Sequence, residues 1–254
     1  MGWRMHSHRL VMGVALLAGL VMVVGYQLLS GVPSSFLLGG ALVQTSDVTT
    51  IVVDAGHGGY DSGSISASGV LEKDVTLEVA LLVGERLQEA GYAVVYTRTS
   101  DEVSWPSDNS ADLAARVETA IEAEADYDLS IHLNASVYGD GARGFEIYAD
   151  PDDAEMWAMA SAVEEQLAEL DFSEDRGVKD AWDSQLYVIC RNPIPALLVE
   201  MGFISDSQDI DYILSHPHLL ADAIAQVIIS RSLTTQFTTS APVADSRSTT
   251  SANR

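Results

Sequence analysis

The stretch TIVVDAGHGG, residues 50–59, decides the fold. It begins as an uninterrupted apolar run and ends in a histidine between glycines, which is typical of a buried strand followed by a tight turn. Residues 127–132 form a similar run that ends on a histidine, and residues 195–200 form one that ends on a glutamate. Ligand crevices in open α/β sheets lie outside the carboxyl ends of the strands, so these polar side chains are expected to meet.

The body of the chain, residues 48–233, alternates strand-like and helix-like segments. Strands are predicted at residues 50–54, 92–97, 127–132, 143–149, 186–190 and 195–200. Helices are predicted at residues 72–90, 111–125, 152–170, 207–214 and 217–232. This alternation predicts a single α/β domain with a central, mostly parallel twisted sheet of about six strands and helices on both faces.

Residues 1–30 differ from the body in composition. Basic residues precede an apolar run that is long enough to span a hydrocarbon core of about 30 Å, and they orient the N-terminus towards the cytoplasm. An uncleaved signal anchor is favoured over a cleaved signal peptide, because the run is long and the exit from it is a poor cleavage site. Residues 31–47 are predicted to be a linker, and residues 234–254 a disordered tail.

The chain is strongly acidic, with 37 Asp and Glu residues against 13 Lys and Arg and a formal net charge of -24. This charge argues against nucleic acid or anionic lipid as a ligand, because both bind basic patches. A solvated acidic surface is the simpler interpretation. Cys190 is the only cysteine, which excludes an internal disulfide, and it is predicted to be a buried small hydrophobe.

His57, Glu72 and His132 are of the residue types that bind a catalytic zinc ion, and Glu200 is of the type that serves as a base beside it. Taken by itself, His132 is more simply interpreted as a core histidine. Taken by itself, Glu72 is more simply interpreted as a charged residue in the first turn of a helix. Both histidines of the predicted strands nevertheless stand at strand ends, which favours a metal site. Glu200 ends an apolar strand and needs an explanation, because carboxylates are rarely buried without a partner.

A few other polar side chains are candidates for roles near this group. Asn134 is predicted to orient a ligand or the substrate amide. Arg176 is predicted to meet a substrate carboxylate, with a structural role equally open. Arg98 and Arg116 are predicted to hold charge partners. Tyr60 and Asp61 follow the first histidine and are predicted to line the groove.

Several motifs, taken in order, resemble the zinc-dependent N-acetylmuramoyl-L-alanine amidases of bacterial cell-wall metabolism over about residues 50–230. They are IVVDAGHGGYDSG (51–63), GVLEKDVTLEVALLVGERLQEAGYAVVYTRTSD (69–101), LAAR (113–116), DLSIHLNAS (128–136), RGVK (176–179) and PALLVEMGFISD (195–206). In that family, the residues that correspond to His57, Glu72 and His132 are zinc ligands. The residue that corresponds to Glu200 is catalytic. Ala55, Ala120 and Leu133 depart from the family's usual residues and leave this set intact.

The resemblance implies a peptidoglycan hydrolase that uses Zn²⁺ to cut the amide bond between N-acetylmuramic acid and the L-alanine of the stem peptide. It would act outside the cytoplasm, membrane-anchored or secreted to a bacterial cell wall. The chain is most similar to the branch that acts on spore cortex during sporulation, and the sequence identifies no activator protein. Two other functions stay open, a zinc peptidase that cuts within the stem peptide and a non-catalytic wall-binding module.

Overall fold

The structure, a computed structural model, describes residues 35–38, 41–44, 48–136 and 141–239, with side chains described from residue 48 to residue 231 outside the gap. It divides into two units at Asp47. The first unit contains an antiparallel hairpin of β1 (Ser35–Leu38) and β2 (Ala41–Gln44). This hairpin lies in the segment predicted to be a linker, where no regular structure was predicted.

No single helix within the described ranges is long and apolar enough to cross a membrane. The pair Ser207–Ser215 and Pro217–Arg231 reaches that length and composition only together, and it is bent by 80°. The predicted signal anchor, residues 1–30, lies outside the described residues and stays a prediction.

The second unit is built on one six-stranded sheet in the order β4-β3-β5-β8-β6-β7. Every neighbouring pair is parallel except β6 and β8, which are antiparallel. The strands are β3 (Thr50–Ala55), β4 (Ala93–Tyr96), β5 (Tyr127–Asn134), β6 (Phe145–Ala149), β7 (Asp175–Asp180) and β8 (Ala196–Phe203). The predicted sheet of about six mostly parallel strands is therefore confirmed.

One predicted strand is wrong. Residues 186–190 do not join the sheet, because Tyr187–Cys190 forms a short helix. The sixth strand is instead Asp175–Asp180, whose charged sequence DRGVKD carries no strand-like alternation. A short apolar run fits a helix as well as a strand, whereas an edge strand needs little apolar content because much of it faces solvent. Cys190 is partly buried, and its Sγ lies 3.3 Å from the carbonyl oxygen of Ala181.

Six helices lie in the described part of this unit, and three of them begin at an aspartate that accepts hydrogen bonds from the first turn. Asp108, Asp153 and Asp206 cap these three in this way. The helices are α1 (Glu72–Glu89), α2 (Asn109–Glu122), α3 (Ala154–Ala168), α4 (Tyr187–Cys190), α5 (Ser207–Ser215) and α6 (Pro217–Thr239). The last helix continues to Thr239, past residue 234, where the disordered tail was predicted to begin. Residues 240–254 lie outside the described part, and the tail stays a prediction.

The two faces of the sheet differ in composition. Alternate strand residues such as Ile51, Ile131 and Val199 pack with α1, α3 and α6 in the large hydrophobic core. The opposite face is covered by α2 and α4 over two smaller apolar clusters. Because side chains alternate along a strand, this second face also carries His132 and Glu200. These polar residues therefore lie on the face that has the smaller apolar clusters.

Candidate metal centre and catalytic site

Three predicted ligands converge at the carboxyl ends of the parallel strands. His57 follows β3, Glu72 is the first residue of α1, and His132 lies on β5. The His57 Nε2 atom is 3.0 Å from Glu72 Oε1, and His132 Nδ1 is 3.3 Å from the same oxygen. One ligand atom from each residue lies within 4.8 Å of the other two. The arrangement has the donors and the spacing of a site for one metal ion.

A left-handed turn presents His57. Its backbone φ is 61°, which is unusual for a residue with a side chain, and Gly58 and Gly59 follow with φ of 128° and 56°. The turn closes through two backbone hydrogen bonds between Gly58 and Asp61, of 2.9 and 3.0 Å. His57 Nδ1 lies 2.7 Å from Asp61 Oδ2, so Nε2 is the nitrogen that faces Glu72. Asp61 therefore orients the imidazole, as carboxylates commonly do behind metal-binding histidines.

Backbone amides fix the carboxylate of Glu72, which is buried. The N–H of Ser64 donates to Oε2 at 2.9 Å, and the N–H of Leu133 donates to Oε1 at 3.0 Å. Leu133 lies where the β5–β8 register shifts, between His132 and Asn134. Such irregularities re-aim groups next to active sites. Here the shift coincides with the amide that holds the ligand.

The charges of these residues depend on one another. Burial opposes protonation of His57, but Glu72 and Asp61 outweigh it and raise the pKa of His57 from 6.5 to about 9. Burial also opposes ionisation of Glu72, yet His132 and His57 hold the pKa of Glu72 well below its usual range. Glu72 is therefore a fixed anion, which is the form that a metal ligand requires.

Two glycines leave the space that the ligand side chains occupy. A Cβ atom on Gly56 would come within 2.6 Å of His132 Nδ1. A Cβ atom on Gly63, whose φ is 61°, would lie 2.7 Å from His57 Cδ2 and 2.8 Å from Glu72 Oε2. Close packing of backbone against all three ligands therefore requires glycine at both positions.

Two buried arginines hold the carbonyl groups around the left-handed turn. Arg98 donates to the carbonyl oxygens of Ala55 at 3.0 Å and Gly56 at 2.8 Å. Arg116 donates to the carbonyl oxygens of Ala55 at 2.8 Å and His57 at 2.7 Å. Three consecutive carbonyls are thus bound by guanidinium groups, which fixes the backbone from which the first ligand projects.

The prediction that both arginines hold charge partners is confirmed for Arg116 only. Arg116 pairs with Asp54 at 2.6 Å and Asp112 at 2.7 Å, and its guanidinium lies 5.3 Å from the centre of the Trp105 ring. Burial opposes ionisation of Asp54, but Arg116, His132 and the hydrogen bonds from Ser130 and Thr97 together outweigh it and lower the pKa of Asp54 to about 2. Arg98 instead binds backbone oxygens, and within the described residues no carboxylate lies in salt-bridge contact with it.

Glu200 lies in the sheet between a predicted ligand and a second carboxylate. In the register of β8 it is opposite His132 on one side and Glu146 on the other. Its Oε2 atom is buried and has no hydrogen-bond partner among the described residues. Burial, and then the charges of Glu72 and Glu146, raise the pKa of Glu200 to about 8. A carboxylate with a free oxygen and such a pKa can exchange a proton near neutral pH.

The two predicted substrate-binding residues both contact Glu146, and neither reaches the ligand group directly. Asn134 Nδ2 donates to Glu146 Oε1, and Tyr148 donates to the same oxygen at 3.1 Å. Arg176 Nε donates to Glu146 Oε2 at 3.2 Å, and its guanidinium lies 5.0 Å from the centre of the Phe203 ring. Three donors therefore bind Glu146. The role of Asn134 and Arg176 towards substrate stays a prediction.

A cavity of about 260 Å³ opens beside the ligand group. Its walls come from the loop after β3, the start of α2 and the segment that leads into α4. The lining residues are His57, Asp61, Asn109, Asp112, Leu113, Arg116, His132, Gln185, Leu186, Tyr187, Val188, Leu198 and Glu200. Of the two residues predicted to line the groove, Asp61 does so, whereas Tyr60 is exposed outside the cavity wall.

The residues present fit a metal ion. Two imidazoles and one carboxylate are donors that zinc accepts, and three protein ligands are the usual number at a catalytic zinc site. Two of the three ligands are positioned by a further hydrogen bond, His57 by Asp61 and Glu72 by the N–H of Ser64. Glu200 is opposite His132 in the sheet and lines the same cavity as the two histidines.

The sequence analysis overlooked Glu146 and Tyr187. Glu146 interrupts the apolar strand Phe145–Ala149 in the same way that Glu200 interrupts β8, so a buried charge in a strand was the available signal. Tyr187 carried no comparable signal. Its place in the cavity depends on the helix α4, and the segment containing it was predicted to be a strand.

Residues 51–230 match the family model described as N-acetylmuramoyl-L-alanine amidase. The uncharacterised protein YqiI of Bacillus subtilis is 37% identical over 185 residues, which are 71% of this chain and 84% of that protein. The germination-specific N-acetylmuramoyl-L-alanine amidase of Bacillus subtilis is 34% identical over 170 residues, 63% of this chain and 68% of that protein. The CwlD amidase from Clostridioides difficile, solved in complex with the GerS lipoprotein, has a TM-score of 0.66 and 27% identity, over 74% of this chain and 99% of that chain.

We expect Gly56→Ala to weaken metal binding, because the added Cβ would displace the His132 imidazole. The affinity for zinc, measured by competition with a chromogenic chelator, should fall about tenfold or more. Gly84→Ala is the matched control, since Gly84 lies in α1 and a Cβ there would overlap the Tyr96 side chain of β4 instead of a ligand. Both variants should lose stability, but an equal loss of zinc affinity in both would contradict the steric account.

Arg98→Met should also weaken zinc binding, by about tenfold, because it frees the carbonyls of Ala55 and Gly56. Arg98 is chosen instead of Arg116, because removal of Arg116 would leave the buried carboxylates of Asp54 and Asp112 without their cation. The measurement is a zinc titration by calorimetry, with Arg86→Met on the outer surface of α1 as the control. Unchanged affinity in Arg98→Met would show that the turn at His57 holds without this arginine.

Proposed function

The chain belongs to the N-acetylmuramoyl-L-alanine amidase family, and we propose that it performs this reaction with a zinc ion held by His57, Glu72 and His132. The chain is a peptidoglycan hydrolase that cleaves the amide bond between N-acetylmuramic acid and the L-alanine of the stem peptide. The observation that carries the zinc proposal is the convergence of three positioned donors within 4.8 Å of one another.

Glu200 is the proton carrier in this proposal. A bound zinc ion supplies Lewis-acid activation of a water molecule and of the amide carbonyl. Glu200 would accept the proton of the attacking water and later deliver it to the L-alanine nitrogen. Delivery is needed because an amine is a poor leaving group until it is protonated. A base whose pKa lies near the working pH can perform both transfers.

The location of the domain, its biological role and a protein partner are also part of the proposal. The domain would act outside the cytoplasm, anchored by residues 1–30 or secreted to the cell wall. A role in sporulation or germination is supported by the relative named as germination-specific. A protein partner is supported by the complex of CwlD with a lipoprotein. Each of these comes from a relative or from the N-terminal sequence, and each is independent of the metal site.

The bond that is cut distinguishes this reaction from that of a zinc peptidase. Purified peptidoglycan digested by the zinc-loaded chain should release intact stem peptides with a free N-terminal L-alanine, as seen by mass spectrometry. A chelator should stop the release, and added zinc should restore it. Fragments cut within the stem peptide would point to the peptidase, and retention of wall fragments without any cleavage would point to a binding module.

Glu200→Gln should keep zinc but lose turnover by at least about a hundredfold, because the amide cannot accept the water proton. His132→Ala should lose both zinc and turnover. The measurements are zinc content by elemental analysis and the rate of stem-peptide release. Full activity in a Glu200→Gln protein with one zinc per chain would remove the proposed base.

A further inference from the structure

We propose that the cleft binds its substrate in one direction, with the uncharged glycan in the cavity beside Tyr187 and the anionic stem peptide on the side of Arg176. This inference rests on the proposed function, since it assigns the two halves of the same substrate. It follows from the position of Glu200 in the sheet and from the charges on either side of it.

Glu200 lies on β8, which separates two groups of strands at the edge of the sheet where the ligand residues meet. The strand order places β5 on one side of β8 and β6 followed by β7 on the other. The cavity's lining comes from the first side, from β8 itself, from α2 and from residues 185–188 at the start of α4, and none of it comes from β6 or β7. Glu146 and Arg176 belong to β6 and β7. A substrate whose scissile bond lies at Glu200 therefore extends one half into the cavity and the other towards Arg176.

The cavity favours an uncharged group. His57 and His132, which would hold the zinc ion, form one part of its wall. The rest includes Asp61, Asp112 and Glu200, and the only arginine or lysine among its described residues is Arg116. That guanidinium is buried and already bonded to Asp54, Asp112 and two carbonyls, so it is not available to a ligand. Beyond the zinc ligands, the free carboxylates of a stem peptide would therefore find no available cation here, whereas an N-acetylated sugar needs none.

The apolar part of the lining suits a sugar ring. Leu113, Leu186 and Val188 line the cavity, and Tyr187 does so with 38% of its surface exposed. The carbon-bound hydrogens of a sugar face pack well against an aromatic ring, and a tyrosine hydroxyl can bond to the sugar's polar edge. The volume of about 260 Å³ is slightly below the range of ligand pockets, so it accommodates a group of about ring size.

The other side offers the complementary charge. Arg176 uses its Nε atom to bind Glu146, which is buried, while the Arg176 side chain is 32% exposed. Its guanidinium is held in place by this bond and by the Phe203 ring. A positioned, accessible guanidinium is the group best suited to a peptide carboxylate, because it can donate two parallel hydrogen bonds.

The test uses the zinc-loaded full chain carrying Glu200→Gln, so that neither probe is turned over. One probe is a peptide-free glycan tetrasaccharide whose lactyl groups are converted to neutral carboxamides. The other is a stem tetrapeptide acetylated at L-alanine. Titration calorimetry should show that Tyr187→Ala weakens glycan binding about three- to tenfold and leaves peptide binding unchanged. Arg176→Gln should weaken peptide binding about tenfold, more at low salt, and leave glycan binding unchanged.

Two control variants separate these effects from general damage. Tyr187→Phe keeps the ring and should keep most of the glycan affinity. Arg86→Gln is matched to Arg176→Gln, because Arg86 is also 32% exposed and also pairs with a carboxylate, and it should change neither affinity. Where direct titration is too weak, the inhibition constants of the two probes against the enzyme with Glu200 intact give the same comparison.

The proposed direction is overturned if the two variants act on the opposite probes, on both probes equally, or on neither. Any of these results, obtained with a chain that still releases stem peptides in a chelator-sensitive way, removes the direction and leaves the amidase reaction in place. A zinc-loaded chain that releases no stem peptides and binds neither probe would remove both the direction and the proposed function.

Discussion

The left-handed turn at His57 is the constraint on which the site depends. A residue with a side chain adopts this conformation at a cost in free energy, and it persists only where its surroundings determine it. Here the surroundings are the guanidinium groups of Arg98 and Arg116, which bind three consecutive carbonyls, and the glycines that let the backbone pass close to the ligands. The metal centre is therefore built as much from backbone geometry as from the three donor side chains.

The carboxylates near this turn differ in how they are bound. Glu72, Glu146 and Glu200 place three carboxylates at one end of the sheet, but only Glu200 retains a buried oxygen without a partner. Backbone amides hold Glu72 as an anion, and Asn134 and Arg176 bind Glu146. Two of the carboxylates are thus committed to structure or to a cation, and the third stays available for proton transfer. The acidity of the whole chain, in contrast, requires no specific ligand.

The sequence predicted the sheet, the positions of its central strands and the family, because each depends on local patterns. The strand before His57 and the strands that carry His132 and Glu200 are apolar and buried, so their signal is strong. The edge strand Asp175–Asp180 was missed because it is partly exposed, and the helix at Tyr187 was taken for a strand because a short apolar run is ambiguous. The contacts of Arg98, Asp61 and Glu146 could not be predicted, since they join segments that are far apart in sequence and depend on the exact register of the strands.

The most direct test of this account is anomalous diffraction at the zinc absorption edge from crystals of the zinc-loaded chain. The account predicts one strong peak, bonded to His57 through Nε2, to Glu72 and to His132, with Asp61 behind His57 and the backbone of His57 still left-handed. A zinc ion bound by a different set of residues, or a His57 backbone that leaves the left-handed region when zinc binds, would contradict it.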